Sequence, residues 1–161
     1  YTIKNYYTNS YYFDLFDKNI STISLYFEAA NSLENKDIKL SERIKIPSRR
    51  LRGFEKGKVG PIDGNDYIGG NYVSTLNLST NIPGLFPTIE MFDFNYFIDF
   101  ANVFGVDYNS SLDKSQIRSS TGIGLNVLTP VGPLSFSLTQ PISKKSTDKT
   151  ETFRFNLGTT F

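Results

Sequence analysis

The chain has 161 residues, 17 Lys plus Arg against 16 Asp plus Glu for a formal charge of +1, 39% hydrophobic residues, and no Cys, His or Trp. No run of hydrophobic residues exceeds three, which excludes a transmembrane helix of about 20 apolar residues. The missing Cys and His exclude disulfides, thiolate nucleophiles, imidazole bases and the usual zinc sites, and the near-neutral charge argues against coating nucleic acid.

The opening residues lack a charged start, an apolar core and a small-residue cleavage site, so no signal peptide is expected and the sequence reads as an excerpt of a longer chain. Tyr1, Ile3, Tyr7, Tyr11, Phe13 and Leu15 mark a first strand over about 1–16. Ile23, Leu25, Phe27 and Ala29 alternate with Ser24, Tyr26 and Glu28 over 20–32. After a polar stretch at 33–68, Tyr72, Leu76 and Leu78 oppose Val73, Thr75, Asn77 and Ser79 over 69–81. Phe92, Phe94, Tyr96, Ile98 and Phe100 alternate with Asp93, Asn95, Phe97 and Asp99 over 89–104, which places two carboxylates on the polar face. Three more strands follow at 116–129, 133–142 and 151–161, the last with Phe153, Phe155, Leu157, Thr159 and Phe161 on one side. No segment carries a comparable stripe at 3.6-residue spacing.

Short Pro- and Gly-marked turns are expected at Asp17–Asn19, around Pro83–Pro87 and at Pro130–Pro133, and longer loops at 33–68, 105–115 and 143–150. Short turns at one end and long loops at the other describe a transmembrane β-barrel. A soluble antiparallel sandwich or barrel also alternates apolar and polar residues. Small Ser, Thr, Asn and Gly residues on the polar faces, an aromatic content of 15% and the aromatic end at Phe161 favour the membrane form. The fold class expected is therefore all-β, about seven antiparallel strands from the C-terminal part of a larger barrel. An open seven-stranded sheet would leave edges unpaired in lipid, so partner strands are expected before residue 1.

Leu51-Arg52-Gly53-Phe54-Glu55, then Val59-Gly60-Pro61, then Ile68-Gly69-Gly70-Asn71 stand in this order in the long loop. The series resembles the sixth extracellular loop of the BamA family, the outer-membrane barrels that insert other barrels. Phe97-Ile98-Asp99 with Asn102-Val103-Phe104, Thr129-Pro130-Val131-Gly132-Pro133-Leu134 and the stretch from Phe153 to Phe161 are similar to later motifs of the same family. The resemblance implies strands ten to sixteen of a sixteen-stranded barrel in the bacterial outer membrane, with POTRA domains lying N-terminal and absent from this sequence. It also implies a loop folded into the barrel with Arg52 meeting Asp99, Gly53 allowing a tight turn and Phe54 packing on the inner wall. Two departures stand out: Pro47-Ser48 replaces a double glycine before the tip, and Asn77 stands where a second acidic acceptor for Arg52 is usual.

Arg49 and Arg50 read either as hydrated loop residues or as contacts to lipopolysaccharide. The last strand carries the aromatic-ended pattern of assembly clients, and Gly158 weakens its pairing, so Phe153, Phe155, Leu157, Gly158 and Phe161 are the candidate seam residues. The expected function is assembly of outer-membrane proteins through that seam, with no enzymatic reaction, no cofactor and no metal. Expected partners are unfolded β-barrel clients, assembly lipoproteins reached through the POTRA domains, and outer-membrane lipid, with no nucleic acid. A TamA-type translocation barrel is the nearer alternative, although its tip more often ends in Tyr; a passive channel and a soluble β-protein are the others. The near-miss to a phosphate loop at Gly53–Lys58 and the acidic turn Asp63–Asp66 are read as plain loop.

Overall fold

A computed structural model describes residues 1–85, 88, 91–113 and 115–158. In chain order the strands are β1 (Thr2–Phe13), β2 (Ser21–Ser32), the two-residue β3 (Ile62–Asp63) and β4 (Asp66–Tyr67), β5 (Tyr72–Asn81), β6 (Phe92–Phe104), β7 (Arg118–Thr129), β8 (Gly132–Ser143) and β9 (Phe153–Leu157). β3 and β4 form a small hairpin within the long loop. The other seven build one sheet in the order β1-β2-β5-β6-β7-β8-β9, each strand antiparallel to the next.

The boundaries shift from the expected ones for local reasons. The first strand stops at Phe13 rather than running to residue 16, because Asn19 closes a turn by accepting from the Leu15 N–H at 3.1 Å and donating its own N–H to the Phe16 carbonyl at 3.1 Å. The strand expected from residue 69 starts at Tyr72, because Gly70 is paired with Ile44 of the loop instead of with β6. Residues 89 and 90 of the expected fourth strand, 86 and 87 of the turn before it, and Thr159, Thr160 and Phe161 lie outside the described residues.

Side-chain alternation gives the sheet two unlike faces. Ile23, Leu25, Phe27, Tyr96, Ile123, Leu138, Phe153, Phe155 and Leu157 are all exposed on the outer one. So many exposed large apolar groups on adjoining strands is the expected surface of a wall facing hydrocarbon. On the inner face the antiparallel register lines up Ser10, Ser24, Asn77, Asp99 and Ser120 as one row across five strands. Small residues there leave room for the loop between β2 and β5, which folds back over that face.

The apolar core lies between this loop and the wall. Ile44, Ile46, Leu51, Phe54 and Val59 of the loop pack with Ala30, Val73, Ala101 and Val103 of β2, β5 and β6. The loop thus covers an apolar patch of the inner face as well as part of the polar row. Among the described residues no helix is long and apolar enough to cross a membrane.

The two faces predict opposite responses to charge. Leu25→Arg, mid-strand and outward, should destabilise the complete protein in lipid vesicles by about 2–4 kcal/mol. Ser79→Arg, which faces the inner space beside Asn77, should cost far less, with urea unfolding as the measurement.

Candidate functional site: an inward loop tip

The polar row on the inner face supplies a socket for the loop. Asp99 is 0% exposed and receives four hydrogen bonds. Arg52 donates three of them, from its backbone N–H to Oδ2 at 3.0 Å, from Nε to Oδ2 at 2.7 Å and from Nη2 to Oδ1 at 2.8 Å. Asn77 donates the fourth from Nδ2 at 2.8 Å. The guanidinium carbon lies 3.6 Å from the centre of the Phe97 ring, and the Arg52 carbonyl accepts from Ser120 Oγ. Both charges are removed from water, so their attraction and these bonds must offset a desolvation cost of several kcal/mol per ion. The planar fork of Arg fills both carboxylate oxygens and stacks on the ring at the same time, which Lys cannot do.

Asn77 is therefore not a substitute acceptor for Arg52. Its amide donates to Asp99 and to the Arg50 carbonyl at 2.7 Å, tying the start of the tip to the same carboxylate. A neutral donor here leaves one carboxylate facing one guanidinium.

Gly53 sits at φ +90°, and a Cβ on it would lie 2.7 Å from Thr139 Oγ1. The tip can therefore cross the inner wall only with glycine at this point. Phe54 follows, buried in the core, and forms an antiparallel bridge with Thr150. At the end of the loop, Gly60 packs against Val103 and the buried Pro61 accepts from the Ile68 N–H at 3.0 Å. Gly69, at φ +70°, would drive a Cβ to 2.3 Å from the Ile44 carbonyl oxygen, and Gly70 would meet the Phe104 carbonyl oxygen at 2.4 Å. Asn71 accepts from Arg43 Nη1 at 3.2 Å and donates to Asp107 Oδ2 at 3.2 Å.

Among the described residues three further arginine–carboxylate pairs hold the loops, none of them anticipated from spacing. Arg43 pairs with Asp107. Burial alone would raise the Asp107 carboxyl, but the Ile38 N–H, the Arg43 guanidinium and the Asn71 amide together hold it below its ordinary value. Arg118 pairs with Asp148 at 2.9 Å with both side chains 0% exposed, and Asp148 also accepts from the Gly60 N–H at 3.2 Å. Arg154 of β9 pairs with Glu151 at 2.5 Å. Asp148 stands in a run of Lys, Ser and Thr that gives no hint of burial.

Arg50 departs from both readings of a hydrated or lipopolysaccharide-binding residue. It turns inward, donating to Ser24 Oγ at 2.8 Å and Thr8 Oγ1 at 3.3 Å, with its guanidinium 4.9 Å from the Tyr26 ring centre. The reason is the polar row, which offers hydroxyl acceptors on β1 and β2. Arg49 is exposed and borders the same open inner space of about 310 Å³. Of the candidate seam residues, Phe153, Phe155 and Leu157 are exposed on the outer face, with Phe136 of β8 at 6.3 Å and 5.2 Å from the two rings. Gly158 ends the strand at φ +81° and donates its N–H to the Pro133 carbonyl at 2.7 Å. Phe161 lies outside the described residues. Among the described residues, no group of acidic side chains is placed to hold a metal ion.

An apolar outer wall, a polar inner row and a loop pinned inside define a segment of an outer-membrane β-barrel with an internal loop. Comparison with known proteins agrees. The Omp85 superfamily domain matches residues 1–161. A SAM50-like protein of Schizosaccharomyces pombe is 30% identical over 138 residues, covering 79% of this chain and 28% of that protein. The outer membrane protein assembly factor BamA of Neisseria meningitidis serogroup B is 38% identical over 61 residues, 37% of this chain and 8% of that one. The crystal structure of Haemophilus ducreyi BamA lacking POTRA domains 1–3 superposes with a TM-score of 0.86 at 26% identity, covering 96% of this chain and 34% of that one. The chain belongs to the Omp85 superfamily, as a BamA-family protein of the bacterial outer membrane, and spans about a third or less of the length of these relatives.

Stripping one partner from the buried pair should free the tip, since such losses typically cost about 3–5 kcal/mol. With Cys replacing the buried Leu51 as reporter, Arg52→Ala and Asp99→Asn should each raise maleimide labelling at least about tenfold, and Asn77→Ala should raise it less. Arg49→Ala should leave it unchanged. Equal labelling in all of these variants would mean that the tip is held by other contacts.

Proposed function

We propose that this chain forms the C-terminal part of the barrel of an outer-membrane protein assembly factor, which folds and inserts β-barrel proteins through a weak seam between its first and last strands. In this reading the seven long strands are the tenth to sixteenth of sixteen, and the factor works without an enzymatic reaction or cofactor. Its partners are unfolded β-barrel clients and surrounding lipid, with lipoproteins reached through POTRA domains elsewhere in the protein. The BamA relatives carry the name of assembly factor, and the family membership of this chain brings that role to it as a proposal.

The observation that supports the seam is the place of β9 in the sheet. Among the described residues it is an edge strand, paired with β8 on one side only. Gly158, directly after Leu157, adopts φ +81°. A strand with one unpaired edge takes up another strand there by β-augmentation.

The test is a reversible lock. In the complete protein, a disulfide between a Cys on β9 and one on the first barrel strand should stop client insertion into vesicles, and reductant should restore it. Full insertion by the locked protein would contradict the seam reading, and steady ion conductance without client insertion would favour the channel.

A further inference from the structure

The inner side of β9 carries a long cation where its neighbour β8 carries Ser135, Ser137 and Thr139. Arg154 lies opposite Ser137 and reaches across the wall to the loop. Its Nη1 donates to the Ser48 carbonyl at 2.9 Å and its Nη2 to the Phe54 carbonyl at 2.9 Å, while Nε faces Glu151. Ser48 and Phe54 stand on either side of the tip that contains Arg52. One planar guanidinium therefore grips both ends of the tip, a task for two forked N–H groups rather than a point charge.

The segment entering β9 lies along the same stretch of loop. The Glu151 N–H donates to the Gly53 carbonyl at 2.9 Å and the Glu55 N–H to the Lys149 carbonyl at 2.9 Å, on either side of the Phe54–Thr150 bridge. The tip is thus fastened on two sides: Asn77, Asp99 and Ser120 hold it to β5, β6 and β7, and Arg154 with this short ladder holds it to the terminal strand.

We propose that Arg154 is a positioning residue that couples the tip to the strand forming one side of the seam, so that the place of the tip sets how firmly β9 is held in the sheet. This rests on the seam reading above and adds its regulation. β9 cannot swing outward without drawing the guanidinium off the Ser48 and Phe54 carbonyls. Conversely, release of Arg52 from Asp99 removes the fixed frame on which Arg154 is held. Because the coupling is a property of one equilibrium, it acts equally in both directions.

The experiment uses the complete protein in lipid vesicles without client, reading amide hydrogen exchange in residues 153–157 and maleimide labelling of Cys in place of Leu51. Arg154→Gln should raise both, each by about tenfold, as expected for losing charge-assisted hydrogen bonds. Arg52→Ala, which touches no part of β9, should also raise exchange in β9. The double variant should fall well short of the product of the two single effects. Arg154→Lys, which keeps the charge but loses the fork, should lie between wild type and Arg154→Gln, and serves as the variant to read if Arg154→Gln does not form a barrel. Unchanged β9 exchange in Arg52→Ala overturns the proposal, as does a loosened β9 in either Arg154 variant with Leu51→Cys labelling at the wild-type level. Since no client is present, these readouts are independent of the disulfide lock: an active locked protein would remove the seam's role in insertion and leave the coupling standing.

Discussion

The interaction on which the rest of the structure depends is the desolvated pair of Arg52 and Asp99. The loop shuts Asp99 off from water, and a buried carboxylate with no counter-charge would be too costly to keep, so the loop that covers it must bring a guanidinium. Arg52 supplies it, and the tip reaches Asp99 because Gly53 lets the backbone pass close to Thr139. Around this contact the other inner-face features find their reasons: the row of Ser24, Asn77 and Ser120 that receives the tip, and the apolar patch of Val73, Ala101 and Val103 under Phe54.

A single ion pair would be a poor anchor for a loop of this length. The structure surrounds it with bonds that tie different loops together. Asp148 joins Arg118 of the wall to the Gly60 turn, Asp107 joins Arg43 to Asn71, and Arg154 joins the last strand to the neck of the tip. The last two loops of the chain thus converge on the first one. Such buried polar networks are stable when every member is satisfied and fail together when one is removed.

How much of this could be read from the sequence differs from residue to residue. Strand alternation is a local signal, so the strands, their faces and the inward position of Asp99 were legible from the two-residue period. The destination of Arg52 was not, because a period says nothing about where a loop goes; it came from the order of motifs after residue 51. The Arg118–Asp148 and Arg43–Asp107 pairs, 30 and 64 residues apart in the chain, left no trace in spacing. Arg50 was misread for a related reason: a run of basic residues resembles a hydrated surface until the hydroxyl acceptors of other strands are brought beside it. The strand start at Tyr72 moved because Ile44, far upstream, competes for Gly70.

The account turns on whether Arg52 and Asp99 act as one fastening, and a double-mutant cycle measures that directly. In the complete protein, opening of the tip is read from labelling of Cys in place of Leu51 for Arg52→Ala, Asp99→Ala and the two combined. If the pair is the pin, the double variant opens no more than about twofold beyond the more open single variant. Independent, multiplying effects of the two substitutions would contradict it.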